Sequence, residues 1–438
     1  MNLFWKKLTG ALISTDKIEK DEEELVLAMQ RYYKVEKSLE LAEYKTLFHE
    51  VKAAEFIENK KTLQNRKYKD TEEYRTVTKL RKLQNSPSIH SYYKILTSEE
   101  LKEYEAFKVT PEFENLGDKA KVKESPQLSK LKHFERSKEY RNYTRYHNSY
   151  IIKEYEHLKE VVDTPEFKKS NDYWSNDKRW YETAEYAKEQ RFYELAKNPD
   201  IAFFNAEKPE RFEKYKNLKP TFSDHFKWNT LDKSRWNYGF HYPGKELISN
   251  HSFADEKQCN NGGKNVSVEN DTLRILTKHE KMTAPAWHTE KGFINKEFQF
   301  TSDVLQTAGE FRQKEGVFRA KLRCTGNIHH AFWLGGNAKL PHINIFHYDG
   351  KQITIGNANK NVFDGIEIKG LAHNEYYIYS LIWKNNELIW MINNIEVYRT
   401  TSNIPSEPLY LAFNSFIPEK THGDSGHLEV DWVKVYEL

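Results

Sequence analysis

Cysteine is scarce. The chain has two, Cys259 and Cys324, in 438 residues. That excludes a disulfide scaffold and leaves two reduced thiols as the expectation. Long apolar runs are missing too. No segment reaches the roughly 18 apolar residues that a membrane-spanning helix needs, so no transmembrane segment is predicted. The first residues, MNLFWKKLTGALIS, do not read as a secretory signal: lysines interrupt the apolar stretch, and the run behind them is short. The expectation is a cytoplasmic protein, with export undecided. Phe4, Leu8 and Leu12 fall at helical spacing and are predicted to dock on the protein's own core rather than lie on a membrane. An excess of one charge is also absent. Lys and Arg number 68 against 65 Asp and Glu, a net charge of +3, so there is no basic footprint for nucleic acid.

Glycine is missing from one half only. Of 18 glycines, Gly10 and Gly117 alone precede Gly239. A chain that avoids glycine for so long is not making tight hairpins. Its first half is rich in Lys, Glu, Leu and Tyr, with residues such as Leu39, Leu41, Tyr44 and Phe48 recurring on a charged background. Small-residue–proline pairs punctuate it: Ser86-Pro87, Thr110-Pro111, Ser125-Pro126, Thr164-Pro165 and Asn198-Pro199. Each reads as a capped helix start. Pro87, Pro126 and Pro165 are spaced 39 apart, and the phrase TPEF occurs twice. Residues 1–217 are therefore predicted to be an all-α, repeat-like scaffold whose repeats stack on their sequence neighbours. A protein partner for this half is one expectation, and simple support of the rest of the chain is the other.

From Lys219-Pro220 the alphabet changes. Alternating strand-like runs are separated by turn signals: Asn270-Asp271, Asn385-Asn386, Asn393-Asn394, and Asp349-Gly350 as a type I′ hairpin. Residues 218–438 suit a β-sandwich, which makes the chain a multidomain α plus β protein. Trp383, Trp390 and Trp432 alternate with apolar neighbours and are predicted to be core.

Several phrases of this half occur in an order that resembles one family. They are FSDHFKWNTLDKSRWNYG, KNVSVENDTLRILTKHE, EGVFRAKLRCTGNIHHAFWLGG, NEYYIYSLIWKNNELIWMINNIEVYRT and HLEVDWVKVYEL. Together they are similar to glycoside hydrolase family 16, the laminarinase-like and lichenase-like β-glucanases, over residues 220–438. The resemblance implies a curved jelly roll with a cleft for β-linked glucans or galactans. It also implies a catalytic strand that follows a Phe-Trp-Leu phrase and reads Glu-x-Asp-x-x-Glu. Here Phe332-Trp333-Leu334 is followed by HINIFH. His342 stands at the nucleophile's position, Asn344 at the assisting aspartate's and His347 at the acid/base's.

The residues themselves are consistent with one polar face. Residues 342 and 344 share a side of a strand, while Ile343 and Ile345 take the other. Strict alternation would send His347 to the isoleucine side, and a single β-bulge would return it. A retaining hydrolase needs a carboxylate nucleophile and a carboxylic acid, so none of the three is expected to be catalytic. They are instead expected to contact a β-linked polysaccharide or oligosaccharide, with Trp333 and Trp287 as flat platforms. Two alternatives stay open: a structural or interaction protein that uses the sandwich as a body, and an active hydrolase with relocated catalytic groups. The spacing His-x-Asn-x-x-His, even with His329 and His330 nearby, is no recognised ligand pattern, so no catalytic metal or cofactor is predicted. The resemblance does imply a structural calcium on the convex face, with Asp431 among its ligands.

Overall fold

The computed structural model describes residues 1–243, 251–338, 340–359 and 362–438. Its contacts divide into two compact units, Tyr33–Glu207 on the one hand and Met1–Tyr32 with Lys208–Leu438 on the other. The second junction lies near the boundary read at 217/218. The first 32 residues, however, belong with the β-rich unit.

The helical unit begins its helices where the sequence signals them. Ser125, Thr164 and Asn198 each accept a backbone N–H of the first turn, and proline occupies the first helical position after each. Thr110-Pro111 opens a 3₁₀ helix instead, Pro111–Gly117. The helices pack on their sequence neighbours and also on helices far along the chain. They nest. Leu39–Lys52 lies against Ala184–Ala196, Glu72–Gln84 against Tyr150–Asp163, Pro87–Leu96 against Lys138–Tyr146, and Glu99–Lys108 against Pro126–Arg136. The chain runs out and returns beside itself. Aromatic rings decide the pairing: Tyr44 stacks on Phe192 (5.5 Å), Tyr92 on Tyr143 (5.4 Å), and Tyr104 meets Phe134 (5.6 Å). The rim pairs Arg191–Glu43 and Lys130–Glu103 follow the same partners. Recurring phrases mark similar helix starts along this all-α unit.

The β-rich unit is a sandwich. One sheet runs, in spatial order, through Val362–Ile368, Ile353–Asn359, His342–Asp349, His329–Gly335, Tyr410–Phe416, Val304–Gln306 and Asn237–Tyr238. The other centres on Tyr377–Lys384, Gly316–Thr325 and Gly426–Glu437. Between them Phe332, Ile343, Phe346 and Phe413 meet Phe318, Leu381, Trp383, Trp390 and Val433 in one buried core. Cys259 and Cys324 are buried and unpaired. The turns at 270–271, 385–386 and 393–394 have two consecutive positive φ values, the type I′ pattern. At 349–352 only Gly350 is positive (+85°) and Asp349 N–H bonds Gln352 C=O, so the turn centres on Gly350-Lys351 in the II′ pattern, not I′.

The N-terminal residues complete this unit. Leu3 is fully buried in the sandwich core and Leu12 nearly so. Leu3 N–H bonds Lys369 C=O (2.8 Å), and Lys369 N–H bonds Met1 C=O (2.7 Å). Phe4 and Leu8 remain exposed, so of the helical stripe only Leu12 docks, and Leu3 supplies the rest of the docking face. Farther on, Ile18 packs on Ile378 and Trp432. Trp432 is thus buried beneath a helix, whereas Trp383 and Trp390 lie between the sheets. Leu3→Ala is expected to destabilise the sandwich by about 2–5 kcal/mol. Urea unfolding checks this; an unchanged midpoint would show that the segment is not core.

Candidate functional site

His342–Asp349 is the strand that carries the polar trio. Ile343 and Ile345 enter the core on one side, as alternation requires. Phe346 also enters the core, so two consecutive residues face inward. Register shows why. Asn344 pairs with Gly356 and His347 with Thr354, so Ile345 and Phe346 together oppose Ile355. This β-bulge turns His347 back to the side of His342 and Asn344. The neighbouring strand responds in the same place, with Phe332 paired to Phe346 and Trp333 to Asn344. The Trp390 indole N–H donates to the Asn344 carbonyl (2.8 Å) and ties the bulge to the opposite sheet.

Residues in register share the trio's face: Trp333, Ala331 and His329 on one flank, Gly356 and Thr354 on the other, and Tyr410, Ala412, Asn414 and Phe416 one strand beyond. His342 Nε2 lies 2.6 Å from Asn344 Oδ1. The amide oxygen can only accept, so Nε2 carries the proton and Nδ1 is left as an acceptor. His347 Nε2 lies 3.0 Å from His329 Nδ1, and His347 Nδ1 3.3 Å from Thr354 Oγ1. Burial pushes all three imidazoles down, that of His347 to about 4. They are neutral at pH 7 and work as hydrogen-bonding groups, not as charges.

Trp333 does join the trio. Its ring stacks on His342 at 4.8 Å, its N–H donates to Asn414 Oδ1 (3.0 Å), and it is buried. Trp287 is placed elsewhere, half-exposed on the long hairpin of Thr272–His288 and Gly292–Ser302 beside Phe293 (5.1 Å). A file of rings links the two regions: Phe293 meets His251, His251 meets Phe240, and Phe240 packs on the Trp333–Tyr410 cluster. No sequence pattern marks His251 or Phe240, because only loop packing brings them here. His330, adjacent to His329, points the other way and is fully buried, bonded to Ser415 Oγ (2.8 Å) and the Thr325 carbonyl (3.0 Å). The four histidines therefore do not converge. Among the described residues no three His, Cys, Asp or Glu side chains are placed to hold a metal ion. Asp349 accepts the Lys351 and Gln352 N–H groups of its own turn.

The surroundings of Asp431 answer the calcium expectation. Asp431 holds the Lys321 ammonium at 2.7 Å, and the same ammonium reaches Glu19 at 2.8 Å. Glu19 also accepts the Trp432 indole N–H (2.6 Å), and Glu22 pairs with Arg319 (3.0 Å). Calcium needs six to eight oxygens, and here the carboxylate is already neutralised by a fixed cation. The residues do not fit the ion. EDTA, or millimolar Ca²⁺, is accordingly expected to leave the melting temperature of the chain within about 1 °C of the untreated value. A larger shift in calorimetry would restore the ion.

Comparison with known proteins gives the family context. Residues 253–434 match the family model "Glycosyl hydrolases family 16". Glucan endo-1,3-beta-glucosidase A1 of Niallia circulans is 24% identical over 259 residues. That alignment takes in 49% of this chain, and the chain spans only 37% of the relative's length. Among solved structures, the catalytic domain of an endo-1,3-beta-glucanase (laminarinase) from Thermotoga petrophila RKU-1 is 19% identical, with a TM-score of 0.41, and covers 50% of this chain and 98% of its own. The laminarinase from Rhodothermus marinus is also 19% identical, with a TM-score of 0.40, over 50% of this chain and 97% of its own. The family match leaves residues 1–252 outside it. Residues 253–434 thus match glycosyl hydrolases family 16, the family that the ordered phrases of the sequence resemble.

Proposed function

We propose that the sandwich binds a β-linked glucan on the face of His342, Asn344 and His347 and does not hydrolyse it. One observation supports the reading. The three positions that the resemblance equates with the family's catalytic carboxylates hold two neutral imidazoles and an amide, on one face, bonded to neighbours on that face. A retaining mechanism needs a carboxylate to attack carbon and a protonated carboxyl to donate. An amide does neither, and an imidazole whose pKa is about 4 is not an acid at pH 7. What remains suits hydroxyl recognition: donors and acceptors fixed in position beside aromatic rings. A curated relative named as a glucan endo-1,3-β-glucosidase makes β-1,3-glucan the first glycan to try.

The test uses the full chain, because Leu3 and Leu12 are part of the sandwich core. Calorimetric titration with β-1,3-glucan, mixed-linkage β-glucan and β-galactan oligosaccharides is run beside a reducing-end assay. Saturable binding without release of reducing ends is expected. Turnover that His347→Ala abolishes would overturn the non-catalytic reading. Failure to bind any of the three would overturn the glycan reading and leave the sandwich as a structural body.

A further inference from the structure

The edge strand of the trio's sheet, Val362–Ile368, carries an aromatic ring that no sequence pattern singled out. Phe363 pairs with Ala358, which pairs with His342, so Phe363 lies on the trio's face. Two glycines continue the row that starts at Trp333 and Asn344: Gly356 opposes Asn344, and Gly365 opposes Gly356. Neither has a side chain, and the room that a Cβ would need is taken by the facing backbone and by the Phe363 ring. Its Cζ lies 2.8 Å from where a Cβ on Gly356 would stand, and 2.7 Å from that of Gly365. Gly356 also has φ of +151°, which other residues rarely adopt.

The ring therefore lies against the glycine floor, and the residue is still 52% exposed. The backbone that carries it is held from behind. Asp364 accepts the hydroxyls of Tyr398 (2.5 Å) and Thr400 (2.6 Å), and Asn403 donates to the Val362 carbonyl (3.3 Å). The result is a flat apolar plate whose strand lies two strand spacings (roughly 9.6 Å) from that of His342 and Asn344, with the ring tip reaching back toward Gly356 of the intervening strand. Trp333, on the other flank, is buried under His342 and offers no comparable open face.

We propose that Phe363 is the sugar-stacking platform of this sandwich, seating the apolar face of one pyranose unit of a β-linked glucan while His342 and Asn344 bond its hydroxyls. A pyranose has the required chemistry: a C–H face for the ring and a rim of hydroxyls for an amide and an imidazole. The inference rests on the glycan reading above and adds the residue that would define the subsite.

The experiment titrates β-1,3-gluco-oligosaccharide into the full chain and into Phe363→Leu and Phe363→Trp, with melting temperatures measured in parallel. Leucine keeps the glycines covered but removes the plate. Phe363→Leu is expected to weaken binding roughly tenfold at an unchanged melting temperature, and Phe363→Trp to bind as well as the parent or better. Parent-like affinity in a folded Phe363→Leu would overturn the platform and leave the glycan reading standing. No binding by the parent chain would overturn both. If Phe363→Leu melts low, Phe363→Trp decides: loss of affinity in a folded tryptophan variant counts against stacking.

Discussion

Acidification from pH 7 to pH 4 should weaken the sandwich through its buried imidazoles. Burial holds His330 at about 3 and His347 at about 4, against 6.5 for a free imidazole. The folded form therefore keeps these rings neutral where the unfolded chain protonates them. Below pH 6.5 the unfolded state binds more protons, so stability falls with pH until each ring titrates in the fold. The loss is about 1.4 kcal/mol per pH unit per ring, or about 3 kcal/mol from each by pH 4, roughly 6 kcal/mol together. His329 and His342 are shifted in the same direction and add to it. Glu256 opposes it: burial pushes that carboxyl up to about 8, so its protonation relieves a cost as pH falls. Asp303, also raised by burial, acts likewise. Urea unfolding of the parent and of His347→Asn at pH 7 and pH 4 separates these contributions. The variant should recover about 3 kcal/mol of the parent's acid loss. Equal losses in both chains would show that His347 is not held neutral by the fold.

Much of this site was legible before any coordinates. The alternation of Ile343 and Ile345 against His342 and Asn344 is a local property, and the bulge that rescues His347 could be stated as a condition because side-chain direction follows residue parity. What parity cannot supply is register. Which residue opposes Asn344 depends on the hairpin at 349–352, and that turn proved to centre one residue later than the Asp-Gly signal suggested. Phe363 and the glycine row are visible only once register is known. The helical half shows the same limit. Its helix starts were readable from Ser-Pro and Thr-Pro pairs, since capping is local. Its pairing was not, because the stacking of Tyr92 on Tyr143 is made across 50 intervening positions. The N-terminal segment was expected to dock on the core, and it does, but through Leu12 together with Leu3, which lay outside the helical stripe.

Placing carboxylates by His342→Glu, Asn344→Asp and His347→Glu should give the face a weak hydrolytic activity, against none for the parent under the function proposed above. The bulge already sends positions 342, 344 and 347 to one side of the strand, which the retaining geometry requires of its two carboxyls. The obstacle is His329. Its Nδ1 lies 3.0 Å from the present His347 ring, so a carboxyl placed at 347 would have an imidazole at hydrogen-bonding range. An imidazole there favours the ionised carboxylate and becomes protonated in return. A general acid must instead hold its proton near neutral pH, which an apolar or neutral neighbour promotes. Adding His329→Asn to the triple variant removes the proton acceptor while keeping a polar group in the row. The quadruple variant should therefore exceed the triple by about 10–100-fold in release of reducing ends from β-1,3-glucan, within the range that one well-poised acid contributes. Its activity should also persist to higher pH than that of the triple, because the carboxyl at 347 would titrate later. A quadruple variant that folds and binds glucan but releases nothing would mean that the trio does not stand where the family's carboxylates stand. The equation of His342 with the nucleophile's position, and of His347 with the acid's, would then be lost, while the binding face would remain.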